Sequence, residues 1–312
     1  MRTEWIVLAA ALQETQSGVV RLAGIILAAV GFVLIAAGII YGLGGKKEAA
    51  VYKTNKTNKT EDINVSAESI IGDRKYQQDF FLFTPDTDSE AVKDSGMLAI
   101  VCDGMGGIHG GRLASELAVS AFMADFRKSL LRSTERRPDL AALLQNACAE
   151  ANRVVYQYSC SNTECAGMGT TIVAAAVRGG VAQILSVGDS RAYRITRRGI
   201  VQITKDHSLV EDMVDRGELT RAQARNHPKK NFITRALGVD AQVRADGFTV
   251  RLRPGERLLL CSDGLSNALT DETLYRLCRS GRSPEKVCRR LIQHALCGGA
   301  RDNVTAALIM RW

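Results

Sequence analysis

Four aspartates in this chain stand where an apolar run begins or ends. The stretches AIVCDGMGG, ILSVGDSR and RLLLCSDGL place Asp103, Asp189 and Asp263 at the end of such runs, and GGARDNVT places Asp302 just before the last one. A short apolar run bounded by Gly, Ser or Asn is typical of a buried strand next to a turn. The sequence therefore predicts a fold that fixes four carboxylates at the ends of its core strands.

Four aspartates at strand ends also suggest a metal site. One such aspartate has an ordinary explanation, because Asp favours turns and helix N-caps. Four carboxylates brought together repel one another and raise each other's pKa unless a cation compensates their charge. Hard divalent ions such as Mg²⁺ and Mn²⁺ prefer oxygen ligands, whereas the four histidines are too dispersed for a zinc motif. The pattern therefore favours a site for hard divalent cations.

Beyond residue 62 the hydrophobic pattern switches between strand and helix periods, which predicts a mixed α and β domain. Strands are predicted at 97–102, 170–177, 183–187, 191–195, 248–252, 257–261 and 304–310. The apolar positions of 139–158 have the spacing of a helix with one buried face, and those of 112–131 are similar. Two long helices followed by a meander of strands favour antiparallel sheets covered by helices over an alternating parallel fold.

The N-terminal part contains a long apolar stretch. Residues 22–43 carry no charge and are long enough to cross a hydrocarbon layer of ~30 Å. A buried core helix seldom runs this long without a polar position. Five lysines follow the stretch closely, so the positive-inside rule places the C-terminal part in the cytoplasm. The sequence thus predicts a single-pass cell-membrane protein with these parts: a short extracytoplasmic N-terminus (1–18), a transmembrane helix (19–44), a flexible basic tether (45–62) and a cytoplasmic domain (63–312).

Composition argues against a nucleic-acid-binding protein. The net charge is +8, but the basic residues are dispersed and aromatic residues make up only 5% of the chain, so no platform for base stacking is expected. The eight cysteines include no CxxC pair, which is the usage of a reducing compartment.

Six short motifs identify a family. They are, in order, R-x-x-x-Q-D (74–79), DGMGG (103–107), GMGTT (167–171), GDSR (188–191), SDGL (262–265) and DN (302–303). The set resembles the bacterial metal-dependent serine/threonine protein phosphatases of type 2C, from about residue 63 to the end. The resemblance implies an α+β fold, a four-layer α-β-β-α sandwich of two antiparallel sheets flanked by helices, preceded here by the transmembrane helix. It makes 63–312 the catalytic domain.

The resemblance also implies a ligand set for two ions, Mn²⁺ or Mg²⁺, with a third ion in some members. Asp103 matches the carboxylate that bridges the two ions, and the carbonyl of Gly104 matches a further ligand. Glycine suits a position where the backbone approaches a metal closely. Asp263 and Asp302 match the remaining ligands of the first metal. Two further carboxylates match positions tied to metal-bound water and to the third, weaker metal: Asp79 and Asp189.

The activity implied by the resemblance is hydrolysis of phosphoserine and phosphothreonine in proteins by a metal-activated water. Arg74 matches the phosphate-binding arginine, whose planar fork suits two phosphate oxygens. No Cys-x₅-Arg loop is present, which disfavours a cysteine-dependent phosphatase. Met105 stands where eukaryotic relatives carry a histidine proposed as general acid, so the identity of the proton donor stays open.

The implied partners are phosphorylated proteins and a cognate membrane serine/threonine kinase, with membrane attachment through one helix and no nucleic acid. Two alternatives stay open: a catalytically weak relative that binds phosphoproteins or signals, and a phosphohydrolase of a small metabolite. Residues 205–238 resemble the family's flap. The basic residues Arg225, Lys229 and Lys230 in this segment either attract acidic phosphopeptides or form a solvated helical face.

Overall fold

A computed structural model describes residues 63–84, 96–107, 109–135 and 137–312. The strands of these residues are β1 (Ile63–Ile70), β2 (Asp79–Phe83), β3 (Met97–Met105), β4 (Gly169–Thr170), β5 (Ile172–Arg178), β6 (Val181–Val187), β7 (Arg191–Ile195), β8 (Ile200–Gln202), β9 (Asp246–Arg251), β10 (Arg257–Cys261) and β11 (Val304–Arg311). The helices are α1 (Gly110–Arg132), α2 (Leu140–Ser161), α3 (Leu209–Asp215), α4 (Arg221–Arg225), α5 (Asp263–Ala268), α6 (Asp271–Arg279) and α7 (Pro284–Cys297), with a 3₁₀ turn at Thr163–Cys165.

The strands form two antiparallel sheets. The first has the order β1-β11-β10-β7-β8, and the second has the order β2-β3-β5-β6-β9, with β4 paired to β3. The two sheets pack face to face. Val101 and Ala175 of the second sheet share one buried cluster with Leu260 and Ile309 of the first. The expectation of two antiparallel sheets is therefore confirmed.

Helices cover the outer face of each sheet. Phe122 of α1 and Leu144 of α2 pack with Ile100 on the outside of the second sheet, whereas Leu291 of α7 packs with Leu308 on the outside of the first. Full burial of one such side chain stabilises the fold by about 1.5–3 kcal/mol. The result is the expected α-β-β-α order of layers.

Burial on both faces explains why β3 is an unbroken apolar run. Successive side chains of a strand point to opposite faces of its sheet. Leu98, Ile100 and Cys102 point to the helices, while Ala99 and Val101 point to the other sheet. No position of this segment faces water, so the strand lacks the polar alternation of a half-exposed strand.

The localisation prediction is corrected by the structure. In the described part of the chain, no helix is long and apolar enough to cross a membrane. The two longest helices, α1 and α2, each bury one face against a sheet and expose charged residues on the other, so their apolar residues serve the core. The apolar stretch 22–43 behind the prediction lies outside the described residues. So do the segments predicted for the short N-terminus (1–18), the transmembrane helix (19–44) and the tether (45–62).

Candidate active site

Asp79 and Asp103 lie opposite each other on neighbouring strands. They are direct partners in the antiparallel register of β2 and β3, so their side chains project from the same face of the sheet. Asp79 is buried, and its Oδ2 accepts hydrogen bonds from Ser262 Oγ (2.7 Å) and Thr305 Oγ1 (2.6 Å). Its Oδ1 is buried with no hydrogen-bond partner. One oxygen of Asp79 is therefore held in place while the other remains available.

The other three aspartates reach the same region from three further strand ends. Asp263 follows β10 and begins α5, where Asn267 Nδ2 donates to its Oδ2 at 3.0 Å. Asp302 precedes β11 and accepts from the backbone N–H of Asn303 at 2.8 Å. Asp189 lies in the turn between β6 and β7 and is buried. Like Asp79, Asp189 and Asp263 each have one buried oxygen, Oδ1, without a hydrogen-bond partner.

The charges of these aspartates act on one another. Burial raises the pKa of Asp79 to about 7, even though its two hydroxyl partners oppose the shift. Burial and the charge of Asp302 raise the pKa of Asp263 to about 6. The pKa of Asp103 is raised well above its usual value by burial and then by the charges of Asp79, Asp263, Asp189 and Asp302. The structure thus brings all five predicted carboxylates into one electrostatic cluster that a cation would relieve.

Gly104 has no room for a side chain. A Cβ at this position would lie 1.9 Å from the carbonyl oxygen of Gly111, at the start of α1. Its backbone N–H donates to the carbonyl of Gln78 at 3.1 Å. The crowding comes from the backbone of α1, which packs directly on the end of β3. The sequence analysis attributed Gly104 to close approach of its backbone to a metal. The contact with the backbone of α1 is a second reason for glycine at this position.

Arg74 contacts the cluster from a surface loop. Its Nη2 donates to Oδ2 of Asp302 at 2.6 Å, and about half of its side chain is exposed. This hydrogen bond, the charge of Asp302 and the more distant charges of Asp103 and Asp263 raise the pKa of the guanidinium against the opposing effect of burial. The predicted phosphate-binding arginine is therefore beside the carboxylates, and its fork is open to solvent.

Asn303 holds the loop that carries Arg74, and we did not single it out from the sequence. Its buried side chain donates from Nδ2 to the carbonyls of Ile71 (2.8 Å) and Tyr76 (3.0 Å) and accepts at Oδ1 from the N–H of Gln78 (2.8 Å). Three backbone groups of one loop are thus satisfied by one side chain. The signal was the Asn of the DN motif, directly after the candidate ligand Asp302.

The donor set fits hard divalent cations that keep water ligands. Every candidate donor is an oxygen, and three buried carboxylate oxygens have no partner. Among the described residues, however, no three Asp, Glu, His or Cys side chains form a ready-made metal site. Asp302 also binds Arg74, and Asp79 also binds two hydroxyls. Mg²⁺ and similar ions suit such a set, since they take one or two carboxylates and complete their shell with water.

The flap, residues 205–238, packs beside the cluster. Arg225 of α4 donates to the carbonyls of Ser266 (3.3 Å), Asn267 (3.5 Å) and Leu269 (2.9 Å), at the C-terminal end of α5. Arg225 therefore anchors the flap to the helix that begins with Asp263. This use of its guanidinium differs from both expectations for this residue, the attraction of phosphopeptides and a solvated face.

A buried histidine connects the flap to the turn that holds Asp189. His207 Nδ1 accepts from the backbone N–H of Gly188 at 3.1 Å, and its Nε2 lies 3.2 Å from Oδ2 of Asp246. Burial lowers the pKa of His207. A neutral ring with its proton on Nε2 satisfies both contacts, so His207 is a structural link.

The chain is similar in sequence to proteins of a known family. The family described as protein phosphatase 2C matches residues 71–290. The serine/threonine phosphatase stp of Listeria monocytogenes is 37% identical over 219 residues, which are 70% of this chain and 86% of that protein. The serine/threonine protein phosphatase PstP of Mycobacterium tuberculosis is 35% identical over 219 residues, 70% of this chain and 41% of that protein. The chain belongs to the protein phosphatase 2C family.

Solved structures agree with the fold. The crystal structure of the Mycobacterium tuberculosis phosphatase PstP/Ppp has a TM-score of 0.69 at 32% identity and covers 80% of this chain and 98% of its own. The PstP catalytic domain in complex with two manganese ions has a TM-score of 0.67 at 31% identity, with 80% and 97% covered. The predicted family and the sandwich of two antiparallel sheets are therefore confirmed.

Proposed function

We propose that this chain hydrolyses phosphoserine and phosphothreonine in proteins, with water as the nucleophile and two divalent ions, Mn²⁺ or Mg²⁺, as cofactors. The observation that carries the proposal is the cluster of five aspartates beside the open fork of Arg74. Family membership supports it, because relatives at 35–37% identity are named serine/threonine phosphatases and one solved relative holds two manganese ions.

In this proposal Asp103, the Gly104 carbonyl, Asp263 and Asp302 would hold the two ions. Asp79 and Asp189 would take part through metal-bound water and a third, weaker ion. When bound, the ions lower the pKa of a water and neutralise charge that develops on the phosphoryl group. The carboxylates are fixed at the strand ends, so they would hold the ions in place. Little reorganisation of the protein is therefore needed during the reaction.

Arg74 binds the phosphoryl group of the substrate. Its guanidinium is planar and carries several N–H donors, so it can bind two phosphate oxygens while the peptide chain stays outside. In the structure one of its donors is used by Asp302. The exposed remainder of the fork faces solvent, where a phosphorylated side chain would enter.

The substrates are phosphorylated proteins, so the chain reverses the action of a serine/threonine kinase. The chemistry requires such a partner, since only phosphoryl transfer to a hydroxyl supplies this substrate. A small phosphorylated metabolite is the second candidate, because a metal centre selects the reaction and the surrounding surface selects the substrate.

Release of phosphate from a phosphothreonine peptide and from a sugar phosphate tests the proposal. The full chain is assayed with Mn²⁺, with Mg²⁺ and with EDTA. We expect metal-dependent turnover of the peptide in preference to the sugar phosphate, and loss of that turnover in Asp263→Asn. The matched control is Asp240→Asn, which makes the same change at an exposed position. Turnover that persists in EDTA would reject the metal mechanism, and preference for the sugar phosphate would favour the metabolite enzyme.

A further inference from the structure

A cavity of about 150 Å³ lies between the flap and the candidate metal site. Asp189 and Asp263 are among its lining residues, and the flap contributes Arg221, Arg225 and Lys230 together with Asp206 and Glu211. The cavity is thus next to the carboxylates where the phosphoryl group would react, and the flap lines it with residues of both charges.

The arginine side chains that line this cavity already bind other groups of the protein. Arg191 makes three hydrogen bonds of 2.6–3.0 Å to the carboxylate of Asp206. Arg221 donates to both oxygens of Glu211 at 3.2–3.3 Å. Arg225 is held by the carbonyls at the end of α5. Each of these guanidiniums therefore already has partners within the protein.

Lys230 differs from these three arginines in its contacts. Within the described ranges, no carboxylate lies within salt-bridge distance of its ammonium and no carbonyl accepts from it. Its side chain is half-buried, while that of the neighbouring Lys229 is exposed and does not line the cavity. The charge of Lys230 is among those that act on Asp263. Asp271 also lines the cavity, but it lies in the first turn of α6, where the helix dipole stabilises a carboxylate.

We propose that Lys230 is a specificity-determining residue that binds an anionic group, a carboxylate or a second phosphate, on a substrate residue close to the phosphorylated one. The inference rests on the proposed function and names its substrate class, acidic or multiply phosphorylated peptides. Alternate side chains of an extended peptide point to the same side and are about 6.6 Å apart, so a side chain two residues from the phosphorylated one can enter the cavity while the phosphoryl group lies at the metal site.

The test uses one phosphothreonine peptide in three forms. The residues two positions before and after the phosphothreonine are Gln in the first form, Glu in the second and a second phosphothreonine in the third. For the full chain with Mn²⁺, we expect KM to be about two- to fivefold lower for the anionic forms than for the Gln form, as for one partly exposed ion pair. Lys230→Ala should remove this difference between the anionic forms and the Gln form. Lys229→Ala should keep the difference.

Comparison of the two anionic forms identifies the source of the charge. A preference confined to the Glu form would assign a carboxylate, and one confined to the third form would assign a second phosphate. The proposal is overturned if the preference survives in Lys230→Ala. It is equally overturned if Lys230→Ala weakens all three forms alike, since Lys230 would then act on the metal site.

A binding measurement separates this proposal from the proposed function. Calorimetric titration of the same three peptides as non-hydrolysable phosphonates measures Kd without turnover. We expect the same ratio of Kd values in the wild-type chain and its loss in Lys230→Ala. If no peptide is hydrolysed but this ratio is observed, the proposed function fails and the role of Lys230 stands. Equal Kd values for all forms in the wild-type chain would overturn the role of Lys230.

Discussion

Asp79 and Asp103 are paired across β2 and β3, so two carboxylates face each other at the edge of the core. Ser262 and Thr305 hold one oxygen of Asp79 with hydrogen bonds of 2.7 and 2.6 Å. Like charges directly opposite in a sheet are destabilising. In the proposed metal centre, a bound cation would relieve this repulsion, so the repulsion would contribute to the free energy of metal binding.

The first prediction concerns pH. Burial raises the folded-state pKa of Asp79 to about 7, while the unfolded value is about 3.9. Its stabilising contribution is therefore fully present below about pH 4 and is lost as the pH rises through about 7. Since Mn²⁺ replaces the proton, we expect Mn²⁺ to raise Tm much more at about pH 8 than at about pH 5.5.

Thermal unfolding of the full chain with Mn²⁺ or EDTA across this pH range measures the effect. In Asp79→Asn, which cannot ionise at that position, the pH dependence of the Tm difference should be smaller. An increase in Tm that is equal at both pH values would contradict proton competition at this site.

The second prediction concerns the packing of α1 on β3. Gly104→Ala places a Cβ 1.9 Å from the Gly111 carbonyl oxygen, and such overpacking costs about 1–3 kcal/mol of unfolding free energy. Gly107→Ala is the matched control, because nothing lies within 4 Å of its Cβ. Denaturant unfolding should show a loss of stability for Gly104→Ala alone. Equal stability of the two variants would show that the backbone can move apart without cost.

The third prediction concerns competition for Asp302. In the proposed metal centre Asp302 is a metal ligand as well as the partner of Arg74, so Arg74→Ala should strengthen Mn²⁺ binding slightly while it raises KM for a phosphothreonine peptide about tenfold or more. Arg74→Lys keeps the charge but loses the planar fork, and it should restore KM only in part. Calorimetry and steady-state kinetics measure the two effects separately. A variant that loses kcat at unchanged KM would argue against a role in phosphate binding.

The fourth prediction concerns Asn303. Asn303→Ala leaves two carbonyls and one N–H of the 71–78 loop without partners, and each unsatisfied buried group costs about 1–3 kcal/mol. The loop carries Arg74, so we expect a lower Tm and a KM that rises more than kcat falls. Asn231→Ala, at an exposed flap position, is the control. A lower Tm with unchanged KM would restrict Asn303 to a structural role.

Sequence alone predicted the positions of β3, β5, β6, β7, β9, β10 and β11 and missed β1, β2 and β8. β3 and β10 contain apolar runs, and the aspartates that follow these runs marked the site. β1 was missed because INVSAESI contains polar residues that are nevertheless buried, including Ser66 and Ser69. Ser69 Oγ pairs with Thr305 Oγ1 at 2.7 Å. This partner lies on β11, 236 residues away, and no local pattern shows such a contact.

The sequence did not indicate the role of Arg225, for a related reason. Its partners are backbone carbonyls at the end of α5, and every residue of any sequence carries such a carbonyl. Only the packing of the flap on α5 brings them together. Residue types therefore predicted the carboxylate cluster, while the anchors that fix the flap and the Arg74 loop required the tertiary structure.

The most direct test of the two-metal site is a calorimetric titration of Mn²⁺ into the full chain and into Asp103→Asn. A carboxylate that bridges both ions supports the binding of each, so its removal affects the two together. We expect two tightly bound ions per wild-type chain and loss of both in Asp103→Asn. Unchanged stoichiometry and affinity in Asp103→Asn would contradict the assignment of Asp103 as the bridging ligand and, with it, the proposed metal centre.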